Sequence, residues 1–147
     1  MQSAVRRLGA ESRAAFLVLQ PGDELHACVR KVAADAGFHG GFVSAIGAVD
    51  DLELGYFRLP EKVYDRQTTR DRLEVVSLTG NLAVKDGEPF LHAHGVFTGP
   101  DFRAFGGHVF RAVASITLEV SILDVGPLVR LPYPEFGLSR IDPTCPL

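Results

Sequence analysis

Three of the five histidines in this 147-residue chain stand in the run "FLHAHGVFTGPDFRAFGGH", Phe90 to His108. His92 and His94 are separated by one residue, and His108 follows a Gly-Gly pair. On a strand, side chains at i and i+2 share a face about 6.6 Å apart. Imidazoles can lean together over that span onto one ion, with Zn–N bonds of about 2.0–2.1 Å. Three-histidine sets are a known catalytic zinc arrangement. The rival reading is three hydrogen-bonded histidines on a polar sheet face.

Strand pairing decides between convergence and dispersal. Asp86-Gly87 is a favoured pair for a two-residue hairpin turn. With that pair as the turn centre, His92 falls opposite Asn81 and His94 opposite Thr79, with Ser77 on the same face. The other face sets Leu91 against Leu82, Ala93 against Gly80 and Phe97 against Val76. A one-residue slip would mix the two sets. Gly99-Pro100 is the next breaker. A three-residue loop, Gly99 to Asp101, would set His108 opposite His92, with Cβ atoms about 4.5–5.5 Å apart. A two-residue loop would send His108 to the other face, and Gly106-Gly107 could instead end the strand and start a short helix.

A further strand, Ala112 to Val125, alternates. Ala114, Ile116, Leu118, Val120 and Ile122 form one face, and Ser115, Thr117, Glu119 and Ser121 the other. Glu119 is a candidate fourth ligand, a partner for a ligating histidine, or a general base; the alternative is an exposed residue on the open face of the sheet. Arg103 and Arg111 are candidates for holding a substrate carboxylate.

Upstream, "AAFLVLQPGDE" gives a strand, Ala14 to Gln20, stopped by Pro21-Gly22. Asp23 is placed as an N-cap. Leu25, Cys28, Val29, Val32, Ala33 and Ala36 follow at helical spacing, with Gly37 as the stop. His26 falls off this stripe and reads as surface, as does the loop residue His39. "GGFVSAIGAVDDLELGYFRL" reads as strand, glycine bend, strand. The polar segment from Pro60 to Arg72 reads as a loop or exposed edge whose interleaved charges suit a solvated face. Phe102, Phe105 and Phe110 read as core or subunit-interface residues. From Gly126 a Pro-containing tail either lies along the body or reaches a neighbouring subunit.

The length suits one domain, residues 1–147, with a core of about 14–125 and the tail at 126–147. Net charge is −3, with ten Phe and no Trp. That balance gives no support to broad phosphate-backbone binding. The two cysteines, Cys28 in the expected helix and Cys145 near the end, make neither a disulfide framework nor a zinc knuckle. Neither a signal peptide nor a membrane span is expected, which points to the cytoplasm.

The motifs "PGDEL", "GFVSAIGAV", "LELGYF", "LEVVSLTGNLAVKDGEPFLHAH" and "GGHVFRAVASITLEVSI" resemble, in order, the plants-and-prokaryotes-conserved (PPC) domain. They cover Phe16 to about Leu123, most specifically from Leu73 to Glu119. The resemblance implies an α/β domain of α+β type: a bent, mainly antiparallel sheet with one main amphipathic helix and few short helices. It implies a homotrimer. It also carries metal, usually zinc, onto His92, His94 and His108; another divalent transition metal would suit the same ligands. Plant members join the domain to AT-hook motifs, but the Arg-Gly-Arg-Pro core of an AT-hook is absent here. The fold further resembles acetolactate decarboxylase, a zinc enzyme with a His-x-His and a later His, an analogy of fold and ligand type.

Three functions follow as expectations. The first is a trimeric metal-binding module that takes a small carboxylate at the open metal position. The second is a zinc-dependent, decarboxylase-like enzyme acting on a small oxo or hydroxy acid, with Glu119 as the candidate acid–base group. The third is a DNA-binding protein, for which the sequence supplies no contacts of its own.

Overall fold

The computed structural model describes residues 1–8 and 12–144. Cys145 lies outside the described residues. Nine strands and one helix follow in the order β1 (Gln2–Arg7), β2 (Arg13–Leu19), α1 (Leu25–Ala36), β3 (Gly40–Arg58), β4 (Val63–Thr69), β5 (Leu73–Lys85), β6 (Glu88–Thr98), β7 (Ala104–Asp124), β8 (Val129–Tyr133) and β9 (Leu138–Asp142). The architecture is sheet-dominated and mainly antiparallel, so the α/β label is coarse. Among the described residues α1 is the one helix, and the further short helices expected are absent. No helix is long and apolar enough to cross a membrane.

The sheet curls on itself. β3 pairs with both β5 and β7, β5 pairs with β6, and β6 pairs with β7, which closes a four-strand circuit. Register shifts along β3 and β7, between Gly47 and Val49, Val49 and Asp51, and Glu53 and Leu54, mark the bends. Extra residues of this kind raise local twist and let long strands turn a corner. Gly47 sits at the first of them with φ +139°, and a Cβ there would lie 2.2 Å from the Thr117 carbonyl oxygen. Near this bend the alternation read from the sequence is interrupted: Ala114 and Leu118 are buried, but Ile116 is exposed.

Helix α1 packs its buried residues Leu25, Val29, Val32 and Ala33 into the same core as Leu82, Leu91, Phe97 and Leu118. Its N-cap is Glu24 rather than Asp23. The Glu24 carboxylate accepts from the backbone N–H groups of His26 and Ala27, satisfying donors that a helix start otherwise leaves open. Asp23 instead takes the backbone N–H of Gln20 and pairs with the amino terminus. His26 is half-buried and its Nδ1 lies 3.2 Å from Glu24, so it is not the free surface residue expected. Cys28 is half-buried against the core. Gly37 ends the helix at φ 65°, the left-handed stop its position suggested.

Two elements were not read in advance: β1 adds an outer strand to β2, and the tail folds back as the β8–β9 hairpin. The polar segment takes the edge alternative, as β4 paired on β3. β8 meets β5 in parallel at Val84 and Val129, so the tail lies along its own chain.

The β5–β6 hairpin keeps the expected register from Lys85–Glu88 to Ser77–Val96. A shift then intervenes between Val75 and Ser77, and Phe97 pairs with Val75 instead of Val76. The shift puts Val75 and Phe97 inside and leaves Val76 54% exposed. Phe97→Ala should therefore cost about 3–5 kcal/mol of stability in urea denaturation, and Val76→Ala no more than about 1 kcal/mol. Equal losses would contradict the shifted register.

Candidate metal centre

The three histidines project from neighbouring strands on the face opposite the packed core. His92 stands opposite Asn81 and His94 opposite Thr79. His108 stands opposite His94, because the β6–β7 connection runs from Gly99 to Arg103 and pairs Thr98 with Ala104. The loop is thus two residues longer than expected, an even change that keeps His108 on the same face. Its turn is closed by the Phe102 N–H donating to the Gly99 carbonyl and the Arg103 N–H donating to Asp101. Gly106-Gly107 continues the strand rather than ending it, paired against Val96 and Gly95.

The rings gather. Centroid separations are 5.2 Å for His92–His94, 5.0 Å for His92–His108 and 5.3 Å for His94–His108. One ring nitrogen from each lies within 4.8 Å of the others. Tetrahedral coordination brings nitrogens to roughly 3.3 Å, within reach of small side-chain rotations, and His94 is exposed enough to make them. His108 Nδ1 is buried without a hydrogen-bond partner among the described residues. A buried polar atom left open in this way costs stability unless something else meets it. A soft-to-borderline cation with a nitrogen preference fits the donor set.

Burial, first, and then the Arg130 charge and His94 lower the His92 pKa to about 4. Burial, followed by the other two histidines, lowers His108 to about 4 as well. Both are therefore neutral near pH 7, the protonation state a metal ligand needs.

Aromatic rings wall the site. Tyr64 from β4 lies 5.2 Å from His108 and 5.0 Å from Phe110, and Phe110 lies 4.5 Å from His108, all between ring centroids. Gly55, opposite His108, makes the space: a Cβ there would be 2.4 Å from the Phe110 ring and 2.8 Å from Tyr64. The Arg66 guanidinium covers Phe110 at 3.8 Å. Of the three Phe residues read as core or interface, none is in the buried core. Phe102 is 87% exposed at the loop tip, Phe105 is exposed, and Phe110 lines the site.

Glu119 is not with the histidines. It pairs with Val18 and Ile46, eleven positions along β7 from His108 or about 36 Å of strand. It is exposed beside Phe16 and Ser44. Arg111 is held by Asp51, and Arg103 sits by Asp101 on the loop. The arginine that does reach the site is Arg130, on β8. It lines a cavity of about 500 Å³ with His92, His108, Tyr64 and Phe90. Among the described residues it is the only charged residue buried as a whole, 9% exposed. Neither Arg130 nor Tyr64 carried a local signal: one sits in the tail and the other in a charged edge segment.

The Plants and Prokaryotes Conserved (PCC) domain family model matches residues 6–126. Among solved structures, a metal-containing protein from Archaeoglobus fulgidus is 32% identical with a TM-score of 0.81, over 87% of this chain and 91% of that one. A Ralstonia eutropha protein provisionally described as DNA-binding is 26% identical at TM-score 0.80, over 87% and 90% of the two chains. A Pyrococcus horikoshii plant- and prokaryote-conserved protein shares the fold at TM-score 0.82 and 24% identity, over 96% and 94%. No curated protein matches. The chain belongs to the PCC domain family.

The depressed histidines set a pH dependence. In metal-free protein, ring-proton NMR titrations should place His92 and His108 near 4, against about 6.5 for an unfolded histidine. Below 6.5 the unfolded chain binds the proton more readily. The contribution to stability is thus present above about 6.5 and lost as pH falls toward 4. Urea midpoints across that window should fall more steeply for the wild type than for a His92→Gln/His108→Gln double variant.

Proposed function

We propose that this chain, as a member of the PCC domain family, is a homotrimeric metal-binding domain. His92, His94 and His108 would hold a divalent transition metal, zinc by preference. The observation that carries the reading is the convergence of one ring nitrogen from each histidine within 4.8 Å, beside a buried His108 Nδ1 with no partner among the described residues. Held by neutral ligands only, such an ion keeps its full charge and an open position, and supplies Lewis-acid polarisation of a bound oxygen. A small carboxylate is the ligand that charge favours.

Self-association is supported by an apolar patch on β2, β3 and β7. Phe16, Phe42, Ile46 and Leu123 are 51%, 63%, 57% and 42% exposed, and pairing sets Phe42 beside Leu123. Contiguous apolar surface of this kind marks an interaction site.

The second reading, a zinc-dependent enzyme acting on a small oxo or hydroxy acid, gains from Arg130, a cation facing the same cavity. It loses Glu119 as its acid–base group. Tyr64 stands in the cavity wall instead, its pKa raised by burial, and so remains a proton donor at neutral pH.

DNA gains nothing from the described surface. Among the described residues, five of the chain's twelve arginines are ion-paired: Arg13 with Asp124, Arg58 with Asp65, Arg66 with Glu53, Arg103 with Asp101 and Arg111 with Asp51. A net charge of −3 supplies no broad cationic field to release counterions.

The test is elemental analysis of untagged protein. One metal ion per chain is expected in wild type and a loss of most of it in His94→Ala, with sedimentation giving three times the 15.9 kDa chain mass. Metal-free wild type, or His94→Ala retaining its metal, would sink the three-histidine site; a monomer would sink the trimer.

A further inference from the structure

The Arg130 guanidinium has hydrogen-bond partners but no counter-ion. Its Nη1 donates to Asn81 Oδ1 at 2.9 Å and its Nη2 to the Ser139 carbonyl at 2.8 Å, with a long contact of 3.4 Å from Nε to Ser139 Oγ. Among the described residues no carboxylate lies within ion-pair distance of it. Each terminal nitrogen carries two N–H groups and spends one, leaving one on each. A buried, unpaired charge is among the costlier things a fold can hold. Asn81 and Ser139 hold this one in place without neutralising it.

The cavity around it has two characters. Arg130 and Lys85 supply positive charge on one side, and both lie over the Phe90 ring, at 5.3 Å and 5.1 Å. The one carboxylate in the wall is Asp86, exposed on the β5–β6 turn. Phe90, Phe110, Tyr64, Pro132 and Leu138 make the rest largely apolar. A volume of about 500 Å³ far exceeds what acetate or lactate fills, and falls within the usual range for ligands with a ring or branched body.

We propose that Arg130 is an anion-recognising residue, and that the cavity it shares with the three histidines takes a monocarboxylic acid bearing an apolar body. The carboxylate meets the free N–H pair of Arg130, a match of fork to two oxygens. The body lies against Phe90, Phe110 and Leu138. The assignment rests on reading this cavity as a ligand site, but its carboxylate-holding part needs no metal. It also gives the β8–β9 hairpin a purpose: that hairpin lies beyond the residues matched by the family and supplies this side chain.

Calorimetric titration with 3-phenyllactate, lactate, 2-phenylethanol and inorganic phosphate tests it, on metal-loaded and metal-free protein, with metal content measured alongside. Phenyllactate should bind wild type about 10–100-fold more tightly than lactate, the worth of burying one ring. Losing the carboxylate, as in phenylethanol, or the guanidinium, as in Arg130→Met, should each weaken binding about 30-fold or more. Arg130→Lys keeps the charge but not the fork and should fall between. Amide shifts in wild type on adding phenyllactate should centre on Phe90, His92, Phe110 and Leu138, which needs no variant to fold. No saturable binding at millimolar phenyllactate, binding indifferent to Arg130, or phosphate binding as tightly would each overturn the assignment. Arg130-dependent binding by a protein that takes up no metal would leave it standing and remove the metal reading. Metal uptake without acid binding would do the reverse.

Discussion

The arrangement of the site depends on the register of three adjacent strands. Side chains alternate in a strand, so a slip of one residue in β6 or β7 sends a histidine to the wrong face. The apolar side holds the register. Leu82 against Leu91, Gly80 against Ala93 and Val75 against Phe97 are all inward pairs. Slipping any of them would expose large side chains worth roughly 1.5–3 kcal/mol each when buried and press imidazoles into the core. Gly80 tightens the restriction, since a Cβ there would lie 2.4 Å from the His92 carbonyl oxygen. The histidines are therefore placed largely by residues on the other face of the sheet.

Much of this was legible before any coordinates. The Asp86-Gly87 turn, the pairing of His92 with Asn81 and of His94 with Thr79, and the helix stop at Gly37 all follow from local chemistry. Local rules failed where register is set at a distance. The shift beside Val76 and the long Gly99–Arg103 connection both answer to how the sheet closes on itself. Face alternation survived the second error because the loop changed length by two residues. It did not survive the bend in β7, where Ile116 leaves the inner face, nor did it reveal how far Glu119 lies from His108.

Arg130 and Tyr64 were illegible for a different reason. Each comes from a segment whose composition describes a solvated edge, and each is drawn inward by what the closed sheet offers. Tyr64 fills the space left by Gly55 beside Phe110. Arg130 is carried in when β8 meets β5 at Val84, next to the hairpin that bears His92. Buried arginine is rare without a partner, and nothing in the tail's sequence names one.

The electrostatic consequence belongs to the cavity as a whole. A protein carboxylate among the ligands would have served two masters, neutralising the ion and pairing with Arg130. Three imidazoles do neither. Burial and the Arg130 charge hold His92 in its neutral form, so it adds no charge of either sign. A divalent ion here would add to the positive charge that Arg130 already contributes. Water screens such a sum only where it has access, and Phe90, Phe110 and Tyr64 restrict that access. On the proposed reading, the remaining route to neutrality is an anion that enters from outside, and the charge left unmatched by the fold would be the feature by which a ligand is selected.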